Sequence, residues 1–305
     1  MSAPMSLPPL TIVGSINVDL TFYCNKFPSA GETINGVSFS KAFGGKGANQ
    51  AAMSGLLNPL GSTLISKVGS DSHGTECLQN LTNYNVSTSP ISKTSTPTGT
   101  ACIQVDSTGE NKIVVIPGAN SELSEKDVIQ CEDYIKNGSG LICQLEVPPS
   151  TVLKAMSIAK VYNKSVYFNP SPVIGLDVIG ELLKLTDVCV CNRGELEVVS
   201  GLKTGSREEV IEAGKKLCEG YGIEKVVVTL GGEGSVCVGK DNVVECGPAD
   251  LGGEVVDCVG AGDCFLATVA YELECGRGEE EAMRRANEMA GRSIMVKGAM
   301  TSYKI

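Results

Sequence analysis

Tryptophan is missing from the 305 residues, and histidine occurs once, as His73 in "GSDSHGTE". A single histidine excludes multi-histidine metal centres, and His73 reads as a surface residue of a loop or first helical turn. No uncharged apolar run is long enough to span a membrane. The start "MSAPMSLPPL" lacks the basic and apolar segments of a secretory signal, so a cytoplasmic protein is expected. No C-x-x-C pair occurs, and the thirteen cysteines are odd in number and scattered. Free, buried thiols are therefore expected rather than disulfides. The closely spaced Cys189 and Cys191 are expected to diverge along a strand rather than converge on zinc. Positive charge is also short, with 25 Lys and Arg against 35 Asp and Glu, a net charge of −10. That argues against nucleic acid or an anionic membrane as partner. It leaves room for a small anion held by local N–H groups.

What is present is a long alternation. Strand-length apolar runs such as "LTIVGS", "STLISKVG", "SGLICQLE", "KSVYFNP", "TDVCVCN" and "EKVVVTLGG" are separated by helical patterns. Helices are expected near 44–57, 73–85, 150–161, 176–185, 194–200 and 206–219, with another at the C-terminus whose "EEE" and "RR" form a solvated face. The pattern predicts an α/β fold with a mostly parallel, Rossmann-like sheet and helices on both faces. It runs as a single domain over 1–305. Two stretches break the alternation, about 17–43 and 98–117, and read as hairpin pieces of a discontinuous β lid. Such a lid would cover the carboxyl edge of the main sheet, where ligands bind in folds of this kind.

Among the glycine-rich turns, "GSVCVGKD" at Gly234 fails as a P-loop, because Asp241 stands where Ser or Thr is needed. A hairpin turn explains it better. "GGKGANQ" is a near miss for a dinucleotide turn, with Gln50 in place of the last small residue. "DCVGAGDCF" carries more. Gly260, Ala261 and Gly262 at the start of an apolar helix can offer backbone N–H groups and a helix dipole to a phosphoryl group. Asp263 beside them would accept the proton of an attacking hydroxyl, a task for which a weak base suffices. Taken alone, Asp263 is equally a helix-start residue that suits the dipole.

"GSINVD", "FPSAGET", "FGGKGANQAA", "PGAN", "QLEVP", "NRGE", "VTLGGEG", "DCVGAGDCF" and "KGA" occur in one order from about Thr11 to Ser302. In this the chain resembles the phosphofructokinase-B, or ribokinase-like, family of carbohydrate kinases. The resemblance implies ATP-dependent phosphorylation of D-ribose at O5, giving D-ribose 5-phosphate and ADP. Other acceptors of the same fold are fructose, a keto-deoxy sugar acid or adenosine; a non-catalytic sugar-binding regulator is a further possibility.

By the same resemblance Asn17, Asp19, Gly45, Lys46, Asn49 and Glu146 hold the sugar. Carboxylates accept two hydroxyl protons and amides both donate and accept, which suits a polyol. Lys46, read by itself, is also an ordinary helix-start lysine. Asn192 and Glu195 would organise magnesium (Mg2+) through water, while reading equally well as a helix capping box. Thr229, Gly231, Gly262 and Asn287 would line the ATP site; for Asn287 a water-facing helix position is the plain alternative. A monovalent cation, usually potassium (K+), would take a carboxylate oxygen from Asp257, carbonyls from Val259, Ser293 and Gly298, and the Ser302 hydroxyl. Cys258 and Cys264 stand where the family usually has Thr, so thiol oxidation is expected to lower activity. A homodimer through the lid is expected from its exposed sheet edge.

Overall fold

The computed structural model describes residues 7–304. From the N-terminus, β1 (Leu10–Val13) leads into β2 (Asn17–Tyr23) and β3 (Ser38–Gly44), then α1 (Lys46–Leu57), β4 (Ser62–Gly69) and α2 (Ser72–Thr82). The short strands β5 (Val86–Ser87) and β6 (Ile91–Thr94) precede a hairpin of β7 (Gly99–Val105) and β8 (Asn111–Ile116). Next come α3 (Glu125–Gln130), α4 (Glu132–Asn137), β9 (Gly140–Cys143), α5 (Pro149–Val161), β10 (Ser165–Phe168) and α6 (Leu176–Leu183). The last third holds β11 (Val188–Asn192), α7 (Arg193–Ser200), α8 (Arg207–Tyr221), β12 (Lys225–Thr229), β13 (Ser235–Gly239), β14 (Val243–Cys246), α9 (Ala261–Glu274) and α10 (Glu279–Ser293).

The main sheet runs β14-β13-β12-β11-β10-β9-β1-β4-β5, with β6 also paired to β4. All neighbours from β12 to β5 are parallel, and β13 and β14 are antiparallel. Side chains alternate along each strand. Leu10 and Ile12 therefore pack with Ala48, Met53, Phe265 and Met289 on one face, while Val13 packs with Met156, Leu182 and Leu217 on the other. The two apolar layers make the strands hydrophobic throughout, as a doubly covered sheet requires. Burying each such side chain contributes roughly 1.5–3 kcal/mol. Chain order reverses at β1, which lies between β4 and β9, and a crevice opens at the carboxyl end of such a reversal.

A second sheet, β3-β2-β7-β8, stands apart from the first. Its two hairpin pieces are antiparallel within themselves, but β2 and β7 join them in parallel, with Asn17 opposite Gly99. The "SVCVGKDNVVE" stretch is a hairpin, β13 to β14. His73 lies in the first turn of α2, half-buried, with its Nδ1 enclosed.

Two expectations need correction. Cys189 and Cys191 share one face of β11, since residues two apart on a strand point the same way. They lie in the apolar layer beneath α5–α8. Nor is the α10 charge simply a solvated face: Arg285 Nε lies 3.0 Å from Oε1 of Glu272, which is 1% exposed. A buried carboxylate needs such a partner.

Candidate active site

β1 ends at Val13, and the chain turns through Gly14 and Ser15 into β2. α1 begins against this turn. A Cβ on Gly47 would lie 2.5 Å from the Gly14 carbonyl carbon, so only glycine lets the helix start so close. The Ala48 N–H bonds the Ser15 carbonyl at 2.9 Å, and the Lys46 N–H donates to Oε2 of Glu146 at 3.0 Å. The same oxygen accepts from the Ser15 hydroxyl at 2.6 Å and from Nδ2 of Asn17 at 3.4 Å. Glu146, just past β9, thus reaches the open amino end of α1, where a carboxylate is favoured. Asn17 is itself fixed by the buried Asn120, which donates to its Oδ1 at 2.8 Å and bonds both backbone groups of Ile16. Asp19 follows on β2. Burial, followed by the charge of Glu146, pushes its carboxyl up to about 6.

The second half of the site comes from α9. Gly260 has φ +79°, and a Cβ there would lie 2.6 Å from Cβ of Ala299. The position admits glycine for both reasons. Gly262 and Asp263 follow in the first helical turn, where the N–H groups have no carbonyl four residues back within the helix. Tyr303 is buried and donates its hydroxyl to the Gly260 carbonyl at 2.8 Å. Asp263 is 8% exposed, with Oδ2 accepting from Asn49 at 2.9 Å and Oδ1 from Gln50 at 2.9 Å. Burial raises its carboxyl above the usual range, opposed by the Lys46 charge and the two amides.

A cavity of about 250 Å3 joins these halves, lined by Lys46, Asn192, Glu195, Thr229, Gly262 and Asp263. A larger one of about 680 Å3 continues from it past Thr229, Gly231 and Gly262 to Asn287 and Met295. Asn287 does not simply face water: its Nδ2 donates to the Gly247 carbonyl at 2.9 Å, tying α10 to the exit of β14. Asn192 and Glu195 form a full capping box on α7. Asn169 adds a bond of 3.3 Å to Oε2 of Glu195.

Behind α9, Asp257 draws two loops together. Its Oδ1 accepts the Val259 N–H at 3.0 Å and its Oδ2 the Gly298 N–H at 2.8 Å. The Ser293 and Ser302 hydroxyls donate to nearby carbonyls of their own segments, Ala290 and Ala299. Asp257, Val259 and Gly298 are thus in direct contact, whereas the Ser293 and Ser302 hydroxyls bond within their own segments.

The pfkB family of carbohydrate kinases matches residues 9–305. The chain belongs to this family. Among curated relatives, a ribokinase of Dictyostelium discoideum is 35% identical, covering 96% of each chain. A deoxyribokinase of Salmonella typhimurium is 31% identical over 96% of this chain and 95% of its own. The structure of an Arabidopsis thaliana ribokinase complexed with ribose and ATP superposes with a TM-score of 0.88 at 30% identity, covering 97% of this chain and 96% of the other.

Several residues that shape the site of this carbohydrate kinase were not singled out from its sequence. Ser15, Asn120, Gln144, Asn169 and Tyr303 act through partners far along the chain. Ser15 lies in "GSINVD", Asn120 in "PGAN" and Gln144 in "QLEVP". The available signal was a polar residue inside an otherwise apolar or glycine-rich motif.

Proposed function

We infer that the chain transfers the γ-phosphoryl group of ATP to O5 of D-ribose. The observation that carries this is the position of Asp263. It stands where the amino end of α9, the cavity toward Thr229 and the polar cluster of Asn17, Asp19 and Glu146 meet. The sugar hydroxyls would bond to that cluster and to Asn49, whose Oδ1 is buried without a partner. O5 then faces Asp263. Its proton passes to the carboxylate as its lone pair attacks the γ-phosphorus, and the bond to the bridging oxygen breaks with its electrons leaving on ADP. Charge on the transferring group is met by the first-turn N–H groups of α9 and by Lys46.

The donors also fit the ions expected from the sequence. Asn192 and Glu195 supply an amide and a carboxylate suited to a hydrated magnesium ion, which would offset phosphate charge when bound. Asp257 with the carbonyls of Val259, Ser293 and Gly298 and the Ser302 hydroxyl is an all-oxygen set, as a potassium ion prefers. Such an ion would lie behind the α9 amino end and add to its positive potential.

The β2, β3, β7 and β8 sheet would act as a lid, excluding water that competes as acceptor. Lys41 on β3 pairs with Glu76 on α2, and the Lys297 ammonium lies 4.5 Å from the Tyr23 ring centroid. Edge strand β8 exposes Ile113, Val114, Val115 and Ile116, each more than half exposed. An apolar edge of this kind suits pairing with a second copy of the chain. A cytoplasmic location fits thirteen free thiols. Among the described residues, no helix is long and apolar enough to cross a membrane.

Coupled ADP release over a panel of ribose, 2-deoxyribose, fructose, a keto-deoxy sugar acid and adenosine tests the acceptor. Ribose is expected to lead. Ribose binding with no ADP release would favour a regulator instead. Asp263→Asn should keep sugar binding and lose nearly all turnover; a rate above about a tenth of wild type would overturn the base assignment.

A further inference from the structure

Gln50 on α1 and Gln144 just past β9 are both 0% exposed and lie directly behind the general base. Gln144 Nε2 donates to the Val13 carbonyl at 3.1 Å and to Oε1 of Gln50 at 3.3 Å. Gln50 Nε2 donates in turn to Oδ1 of Asp263 at 2.9 Å. Chemistry fixes the direction of this chain. A carbonyl and an ionised carboxylate only accept, so both amides must turn their NH2 groups the same way. Room is made for it: a Cβ on Gly14 would lie 2.0 Å from Nε2 of Gln144. It also has an energetic penalty. Oε1 of Gln144 is buried without a partner, and an apolar side chain of similar volume would avoid that loss. A residue kept only for packing has no reason to carry it.

We propose that Gln50 and Gln144 are positioning residues. Their amide chain, anchored on β1, reserves Oδ1 of Asp263 and leaves Oδ2 to take the proton of the acceptor hydroxyl. The proposal rests on Asp263 being the base. The NH2 of Gln50 cannot accept, so a proton cannot be shared with it at Oδ1. Among the described residues Oδ2 is held by Asn49 alone, which can turn to the sugar and yield its place to the hydroxyl. The hydroxyl O–H then breaks as Oδ2–H forms, and the freed lone pair bonds to the γ-phosphorus. Other groups facing Asp263 are Lys46 from α1, Glu146 past β9, Cys264 from α9 itself and Tyr303 from the C-terminal segment.

The test uses Gln50→Met and Gln144→Met in the full chain. Asp263 is followed by carboxyl-13C NMR, its signal assigned by its loss in Asp263→Asn, and kcat and ribose KM are measured across pH. Gln50→Met should move the Asp263 titration and the acid limb of kcat to higher pH together. At neutral pH kcat should fall roughly ten- to hundredfold, the size expected for a hydrogen bond to a charged group, with KM little changed. Gln144→Met should act in the same direction and less strongly, with a modest loss of thermal stability because the Val13 carbonyl and Oε1 of Gln50 lose their donor. Because Gln144 does not touch Asp263, it carries the test if Gln50→Met does not fold. Lower stability with an unmoved titration and an unmoved acid limb overturns the proposal. If wild type releases no ADP with ribose but the titration shifts, ribose falls as the acceptor and the amide chain stands.

Discussion

Replacing Asp19 by Asn should make the free protein more stable and a worse sugar binder. Asp19 is raised from 3.8 to about 6, first by burial and then by the charge of Glu146. That interval corresponds to about 3 kcal/mol. The side chain is half-buried, so solvent screening brings this to about 1.5 kcal/mol. The folded state holds the proton more tightly than the unfolded state. Stability from this group is therefore fully present below the unfolded pKa and is lost as pH rises from 3.8 through about 6. Asparagine cannot ionise and escapes the loss. At pH 8 Asp19→Asn should be more stable by about 1.5 kcal/mol, or roughly 3–6 °C, and the gain should shrink toward about pH 4.

Sugar binding should move the other way. Hydroxyl donors favour the ionised carboxylate, so ribose must displace the Asp19 proton at low pH. Wild-type affinity should rise with pH up to about 6 and then level, whereas Asp19→Asn should bind weakly with no such rise. Chemical denaturation at two pH values and calorimetric titration with ribose read both effects. Loss of stability at high pH, a gain that does not depend on pH, or wild-type affinity flat across this range would refute the reasoning.

Tyr303→Phe removes one of two donors to the Gly260 carbonyl, leaving the Cys264 N–H at 2.9 Å. It should cost about 1 kcal/mol of stability in a denaturant titration and lower kcat more than it raises the KM for ribose. Cys264 is 1% exposed and burial pushes its thiol to about 12, whereas Cys258 is exposed and lines the cavity at the amino end of α9. Peroxide should thus reduce ADP release in wild type and Cys264→Thr alike and spare Cys258→Thr. Equal loss in all three would exclude Cys258 as the target. Val114→Lys on the edge of β8 should convert a dimer to monomer in size-exclusion chromatography; an unchanged elution volume would remove β8 from the interface.

The main sheet was legible because its strands are buried on both faces and so read as apolar runs. β5, of two residues, and α3 and α4, of six each, are too short to show a period. That the two lid stretches could form one sheet was legible, but the parallel join of β2 to β7 was not. It joins segments some eighty residues apart along the chain, and nothing local marks a parallel join. The same division holds in the site. The "VGAGD" turn is local, because a helix start and its neighbouring carboxylate are set by adjacent residues. Asn120 acts on Ile16 across 104 positions, and Gln50 reaches Asp263 across 213. Such roles exist only once the fold has brought the partners together. Gln50 appeared in the sequence only as a defect in a dinucleotide turn.

A chain of net charge −10 that handles a triphosphate needs its local and distant electrostatics to differ. Charges beyond about 8 Å are screened at physiological salt, so the acidic surface acts weakly at the cavity. Donors within hydrogen-bond distance are not screened in this way. Asp19, Glu146 and Asp263 group near the start of α1, while Lys46 and the amino end of α9 line the cavity toward Thr229 together with Glu195. Glu146 takes three donors at the start of α1, which holds its charge against that helix. Asp263, with burial opposing its charge, is left as a carboxylate that gains from a proton. A carboxylate that gains from a proton, set beside first-turn N–H groups that can meet phosphate charge, is the arrangement the proposed transfer needs.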